Sequence, residues 1–271
     1  YSQLEGVTEE RLAIARDALS QARKEIKDTI YPALQREVAR LGALRPRPDD
    51  YSDKNNGLRL MQSFVDNSFD ENDYLPLMIK ESYLDTDAIS RSQARGLFQV
   101  RAITEKEIEK YYDYTASDIF DAKENAIVGI LYLHRCRNHY AEQSTYNELS
   151  SNEDKDLLAH AIYNVGPTDM RKIWDQIGTS TYEEFEGKIS SAMVTQLGDT
   201  STSAYENVED AEYGVTYRQY AGVTSYLAHE STEMQDKLVV EGIELPITIQ
   251  KGGEFLRYAR TIEAIEALEA T

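Results

Sequence analysis

Between positions 119 and 133 the apolar residues Ile119, Ala122, Ala126, Ile127, Ile130 and Leu133 fall mostly three or four apart. That spacing gathers them on one stripe of a helix, whereas the two-residue period of a strand would scatter them over both faces. The stripe predicts a helix buried along one side, with Ser117 or Asp118 as its cap. The same period governs the N-terminal stretch 8 to 43. There Thr8 caps a run of Leu12, Ala15, Ala18, Leu19 and Ala22, resumed by Ile30, Leu34, Val38 and Leu41, with Pro32 bending or dividing it. Leu75, Met78 and Ile79 predict a further helix, capped by Asp73, carrying Pro76 in its first turn and ending at Glu81. Residues 82 to 95 are polar and poor in strand formers, which predicts an irregular loop or tiny hairpin. Gly96 is read as opening the next helix, and 156 to 164 as another. From 74 to 175 the expectation is all-helical apart from that one loop.

Three short blocks sit on these elements. The first is Glu81-Ser82-Tyr83-Leu84-Asp85-Thr86-Asp87-Ala88-Ile89-Ser90 with Ala94-Arg95-Gly96-Leu97-Phe98-Gln99-Val100. The second runs Asp121, Asn125, Gly129, Tyr132, Leu133, and the third is Ala161-Ile162-Tyr163-Asn164-Val165-Gly166-Pro167. In this order the blocks resemble the soluble lytic transglycosylase domain family, whose members cleave bacterial peptidoglycan. Glu254-Phe255-Leu256-Arg257-Tyr258 is a weaker echo of the family's closing Glu-Thr-x-x-Tyr. The resemblance covers 70 to 175 and that C-terminal return. It implies a mainly α fold: a lysozyme-like helical catalytic core with an N-terminal helical arm and a C-terminal insertion and return helix. The expected division is 1–50 for the arm and linker, 51–175 for the core, 176–250 for a tyrosine-rich insertion, and 251–271 for the returning helix. This chain also departs from the pattern. Phe98 stands for a usual Met, Gln93 for a common Gly, and Arg101-Ala102-Ile103-Thr104 keeps only the threonine of Met-Pro-x-Thr.

Glycosidic cleavage needs a proton delivered to the leaving oxygen and a capture of the oxocarbenium-like centre, and hydrolases bring two carboxylates for this. A lytic transglycosylase needs one. The acid that protonates the leaving group then takes the proton of the sugar's own 6-hydroxyl, which attacks intramolecularly and closes a 1,6-anhydro ring. The resemblance makes Glu81 that residue. It also assigns Ser90, Gln99, Tyr163, Asn164 and Tyr258 to the groove, with Tyr163 able to bond the carboxyl and Gln99 able to hold the N-acetyl group. Asn125 is read as fixing a loop, Gly166-Pro167 as a helix stop, and Asp85 and Asp87 as caps of their own loop rather than a second carboxylate. Arg101 directly after Gln99-Val100, where related hydrolytic lysozymes carry aspartate, leans the same way. The expected activity is cleavage of the MurNAc-GlcNAc β-1,4 bond with 1,6-anhydro-MurNAc ends. A hydrolytic muramidase and a non-catalytic peptidoglycan-binding or assembly protein are the alternatives.

Composition narrows the partners. A formal charge of −19 on 271 residues argues against nucleic acid and anionic membrane surfaces, which are bound through an excess of Lys and Arg. The apolar runs are far shorter than the roughly 20 residues that span a bilayer, so no transmembrane segment is expected. The lone Cys136 excludes an internal disulfide. It lies in His134-Arg135-Cys136-Arg137-Asn138-His139, but on a helix His134 and Cys136 stand about 200° apart and cannot share an ion. A buried structural thiol is expected, and neither metal nor cofactor. Peptidoglycan strands are the expected partner, with cell-wall or secretion-machinery proteins beside them. The chain opens at Tyr1 without a signal-like stretch, which fits a trimmed exported protein of the periplasm or cell envelope, or a phage particle. Residues 178 to 230 are rich in Ser, Thr, Glu and Tyr (Tyr182, Tyr205, Tyr213, Tyr217, Tyr220, Tyr226), and the insertion 176 to 250 is read as walling one side of the glycan groove, its tyrosines suited to stack on sugars. Strand-like density follows from 238 to 249 around Pro246, and 262 to 268 closes as a helix.

Overall fold

The structure is a computed structural model that describes residues 6–43, 74–141, 149, 151–196, 205–210, 215–220 and 235–269. The cap read at Asp73, the linker at 45–50, Tyr213 and Tyr226 lie outside them. The fold is mainly α, as the helical periods require. The chain divides into two compact units, Tyr1–Arg135 and Cys136–Thr271.

In the first unit, α1 (Glu9–Glu25) starts where the sequence places it, with the Thr8 hydroxyl accepting from the Arg11 N–H at 3.2 Å. Glu9 and Glu10 in its first turn and Arg23 and Lys24 in its last suit the helix dipole. A π turn, Ile26–Ile30, leads directly into α2 (Tyr31–Ala43), and the Tyr31 N–H reaches back five residues to the Ile26 carbonyl. The widened turn answers Pro32, which has no N–H to give and whose ring would crowd an α-helical carbonyl four residues earlier. Then come α3 (Leu75–Ser82), α4 (Ala102–Tyr112) and α5 (Ala122–Arg135). Ala15, Ala18, Leu19 and Ala22 are buried where α1 packs along α5, and the small alanines let the two backbones approach closely. The N-terminal arm is thus packed on the helix of the Asp121-Asn125-Gly129 block.

Two starts differ from the sequence reading. Helix α5 is capped by Asp121, whose Oδ1 accepts from the Glu124 N–H at 2.9 Å. Ser117 and Asp118 instead donate to the Glu124 carboxylate. Burial opposes ionisation of Glu124, but the Asp118 N–H and the Ser117 hydroxyl and N–H outweigh it and hold its pKa below the usual value. Gly96 does not open a helix; it lies in a turn, and α4 starts after Arg101.

The second unit begins with a π turn, Cys136–Tyr140, in which Cys136 is buried. It continues with α6 (Asn152–Val165), α7 (Pro167–Ile177) and α8 (Tyr182–Gln196). Hairpins β1 (Tyr205–Asp210) with β2 (Val215–Tyr220) and β3 (Lys237–Val240) with β4 (Ile243–Thr248) follow, both antiparallel, and α9 (Ile249–Glu269) closes the unit. The strand-like density around Pro246 is the second hairpin, and the closing helix is longer than read. Helix α8 corrects the sequence reading, which saw no helix there. Its Tyr182 is 0% exposed, so this tyrosine belongs to the core and presents no face to a sugar. Phe185 stacks on Trp174 at 4.6 Å between ring centroids and meets Phe255 of α9 at 6.1 Å. In the same interior, Glu186 is wholly buried and paired with Arg260 at 2.7 Å. Burial works against the guanidinium charge, but Glu186 and Glu263 more than offset it and raise the Arg260 pKa.

His160 of α6 gives the unit an acid sensitivity. Burial first, and the nearby Arg137 second, push its pKa from 6.5 down to about 4. The unfolded chain therefore takes up a proton between those values that the folded chain refuses, so the contribution is intact above pH 6.5 and lost as pH falls towards 4. The expected loss is on the order of 3 kcal/mol. Denaturant titrations across this range should show a shallower slope in His160→Gln than in the wild type; equal slopes would contradict the assignment.

Candidate active site

Glu81 lies on the last turn of α3 and is half-buried. Apolar burial of Leu75, Leu77, Met78 and Ile79 fixes the helix that presents it. The next residue, Ser82, is buried, and its hydroxyl lies 3.1 Å from the Met78 carbonyl and 2.9 Å from the Leu97 carbonyl. The chain then turns through two left-handed residues, Tyr83 (φ 53°) and Leu84 (φ 58°), of which Leu84 is 1% exposed. Asp85 closes this turn, accepting from the Asp87 N–H at 3.0 Å and pairing with Arg11 at 3.5 Å. Asp85 is therefore the loop cap that the sequence suggested.

The loop behind Glu81 is a small ribbon in which Arg95 bridges to both Ile89 and Val100. Ser90 is half-buried and locks one end: its hydroxyl accepts from the Ala94 N–H at 3.0 Å, and its own N–H donates to the Ala94 carbonyl at 2.9 Å. Gln93, standing where the resembled pattern has Gly, holds a left-handed φ of 64°, which explains why glycine suits that position. Gln99 is left-handed too (φ 49°), and its amide nitrogen donates to the carbonyls of Ala88 at 3.1 Å and Gly96 at 2.9 Å.

Asn125 joins this ribbon to α5. It is 0% exposed; its Oδ1 accepts from the Phe98 N–H at 2.8 Å, and its Nδ2 donates to the carbonyls of Arg95 at 2.9 Å and Ile119 at 2.8 Å. The glycines around it are required by space. A Cβ on Gly96, whose φ is 71°, would come within 2.3 Å of Asn125 Nδ2, and one on Gly129 within 2.1 Å of the Phe98 ring. The spacing Asp121, Asn125, Gly129 thus marks one helix face that caps, clamps and makes room. Phe98 is 0% exposed, so its replacement of Met alters the core and not the groove.

In the second unit Tyr163 and Asn164 occupy the last turn of α6 and are half-buried. The Asn164 Oδ1 accepts from Lys251 Nζ of α9 at 3.1 Å, a partner absent from the sequence reading. Gly166 ends α6, and Pro167 starts α7, so the pair is both stop and start. Tyr258 is 4% exposed and belongs to α9's buried face, so almost none of it is in reach of a ligand. Glu81, Ser90 and Gln99 belong to the first unit, and Tyr163, Asn164 and Tyr258 to the second.

Residues 65–185 match the family model described as the transglycosylase SLT domain. The chain carries an SLT domain. This places it with lytic-transglycosylase-like and lysozyme-like glycan-cleaving proteins, with peptidoglycan as the implied substrate. No curated protein matches the chain at a significant level. The SLT domain contains Glu81, Ser90, Gln99, Asn125, Tyr163 and Asn164, whereas Arg11 and Tyr258 lie outside it. Among the described residues no helix is long and apolar enough to cross a membrane.

Proposed function

We propose that the chain is a peptidoglycan lytic transglycosylase, cleaving the MurNAc-GlcNAc β-1,4 bond with formation of 1,6-anhydro-MurNAc ends. Glu81, half-buried on the last turn of α3 inside the SLT domain, is the observation that carries this reading. It serves first as the acid that protonates the leaving oxygen and then as the base that deprotonates the 6-hydroxyl. A single carboxylate suffices because the nucleophile is already attached to the substrate. The engagement of Asp85 with the Asp87 N–H and Arg11 supports this over the two-carboxylate chemistry of a hydrolase.

Gln99 spends its N–H groups on Ala88 and Gly96, which leaves its Oε1 as the atom to accept from an N-acetyl N–H. Ser90, Tyr163 and Asn164 are the further groove residues of this reading, and the family resemblance gives Tyr163 the role of bonding the acid–base carboxyl. The expected setting is the periplasm, the cell envelope or a phage particle, where peptidoglycan strands are met.

Mass spectrometry of digested peptidoglycan tests the reading. The expected products end in anhydro-muramic acid, lighter by one water than the hydrolytic ends. Reducing ends alone would make the chain a muramidase, and the absence of any cleavage would make it a binding or assembly protein.

A further inference from the structure

The turn that follows Glu81 is costly to hold. Tyr83 and Leu84 are consecutive non-glycine residues at φ 53° and 58°, a region that residues with a Cβ rarely adopt. From the inside the turn is fixed by the buried Leu84 and by the Ser82 hydroxyl at the Met78 and Leu97 carbonyls. From the outside it is met by Arg11. One guanidinium nitrogen donates to the Tyr83 carbonyl at 3.4 Å, and the other pairs with the Asp85 carboxylate at 3.5 Å. Arg11 is itself held: its backbone N–H donates to Thr8, its side chain also donates to the Gly6 carbonyl at 3.3 Å, and its helix is packed on α5 through four buried residues.

We propose that Arg11 is a positioning residue for Glu81, so that α1, which lies outside the SLT domain, is part of the catalytic unit. The inference rests on the reading of Glu81 as the acid–base. By this account Arg11 acts through the turn and not on the sugar. It holds the Tyr83–Asp85 turn against which the last turn of α3 ends, and so sets the direction in which Glu81 is presented.

The test uses the full chain with Arg11→Gln, Arg11→Lys and Asp85→Asn. Three readouts are followed: kcat and KM on peptidoglycan strands, melting temperature, and hydrogen exchange of the amides from 83 to 88. The Asp85 and Ala88 N–H groups, bonded to the carbonyls of Ser82 and Asp85, report the turn directly. Arg11→Gln should lower kcat about three- to five-fold, the scale of an exposed ion pair, with KM and melting temperature unchanged and exchange at Asp85 and Ala88 faster. Arg11→Lys, which keeps the charge, should restore part of the rate, and Asp85→Asn should mimic Arg11→Gln without adding to it. A cleaving wild type whose kcat and exchange are both untouched by Arg11→Gln overturns the proposal alone, as does a lowered melting temperature with kcat unchanged. A wild type that cleaves nothing overturns the reading of Glu81, and this proposal with it.

Discussion

Glu81→Gln should abolish release of fragments from peptidoglycan while leaving the fold as it is. The amide keeps the size and polarity of the carboxyl, so the half-buried end of α3 has no reason to repack. It cannot deliver a proton to a leaving oxygen, nor take one from an attacking hydroxyl. Loss of acid–base catalysis typically costs on the order of 10² to 10⁴ in rate, and here both halves of the reaction pass through the same group. Fragment release measured on folded protein of unchanged melting temperature decides the matter. Wild-type turnover in such a variant would remove Glu81 from the mechanism.

Asn125→Ala should be the most damaging single substitution for stability in the first unit. It deletes three hydrogen bonds at a residue with no exposure, stranding the Phe98 N–H and the Ile119 carbonyl and leaving the Arg95 carbonyl with the Val100 N–H as its partner. Stranded buried groups cost about 1–3 kcal/mol each, so the two together predict a loss of roughly 2–6 kcal/mol, against a total stability typically of about 5–15 kcal/mol. Asn125→Asp should fare no better, since it keeps the acceptor for Phe98 but turns a carboxylate towards two carbonyls. Denaturant midpoints give the measurement. A loss below about 1 kcal/mol, the net worth of one ordinary hydrogen bond, would mean that Asn125 does not clamp the loop.

The helices with an unbroken apolar period were legible: α1 from its leucine and alanine stripe, α3 from its apolar run, and α5 from the stripe that ends at Leu133. Helix α8 was not, although Tyr182, Phe185, Ile189 and Met193 lie along one buried face. Its tyrosine and its Ser, Thr and Glu neighbours suggested a polar wall, because composition conceals burial when the core residue is itself a polar aromatic. The cap of α5 was misplaced because Ser117, Asp118 and Asp121 are all good cappers, and only the geometry shows which oxygen reaches the third N–H. At the candidate site, the clamp by Asn125 could be read from a polar residue set within an apolar stripe. Arg11 could not, since its bond to Tyr83 spans 72 positions and no local pattern announces it. The same holds for Lys251 and Asn164, 87 positions apart.

The ribbon behind Glu81 has a kinetic meaning. A loop stitched by one buried amide to its own backbone at Arg95 and Phe98, and to the segment before α5 at Ile119, has no hinge about which to swing. Many enzymes spend their slowest step opening and closing a flap over the substrate. On the proposed reading, the described ribbon would meet a glycan strand as a fixed guide meets a cable, and not as a flap that must lift.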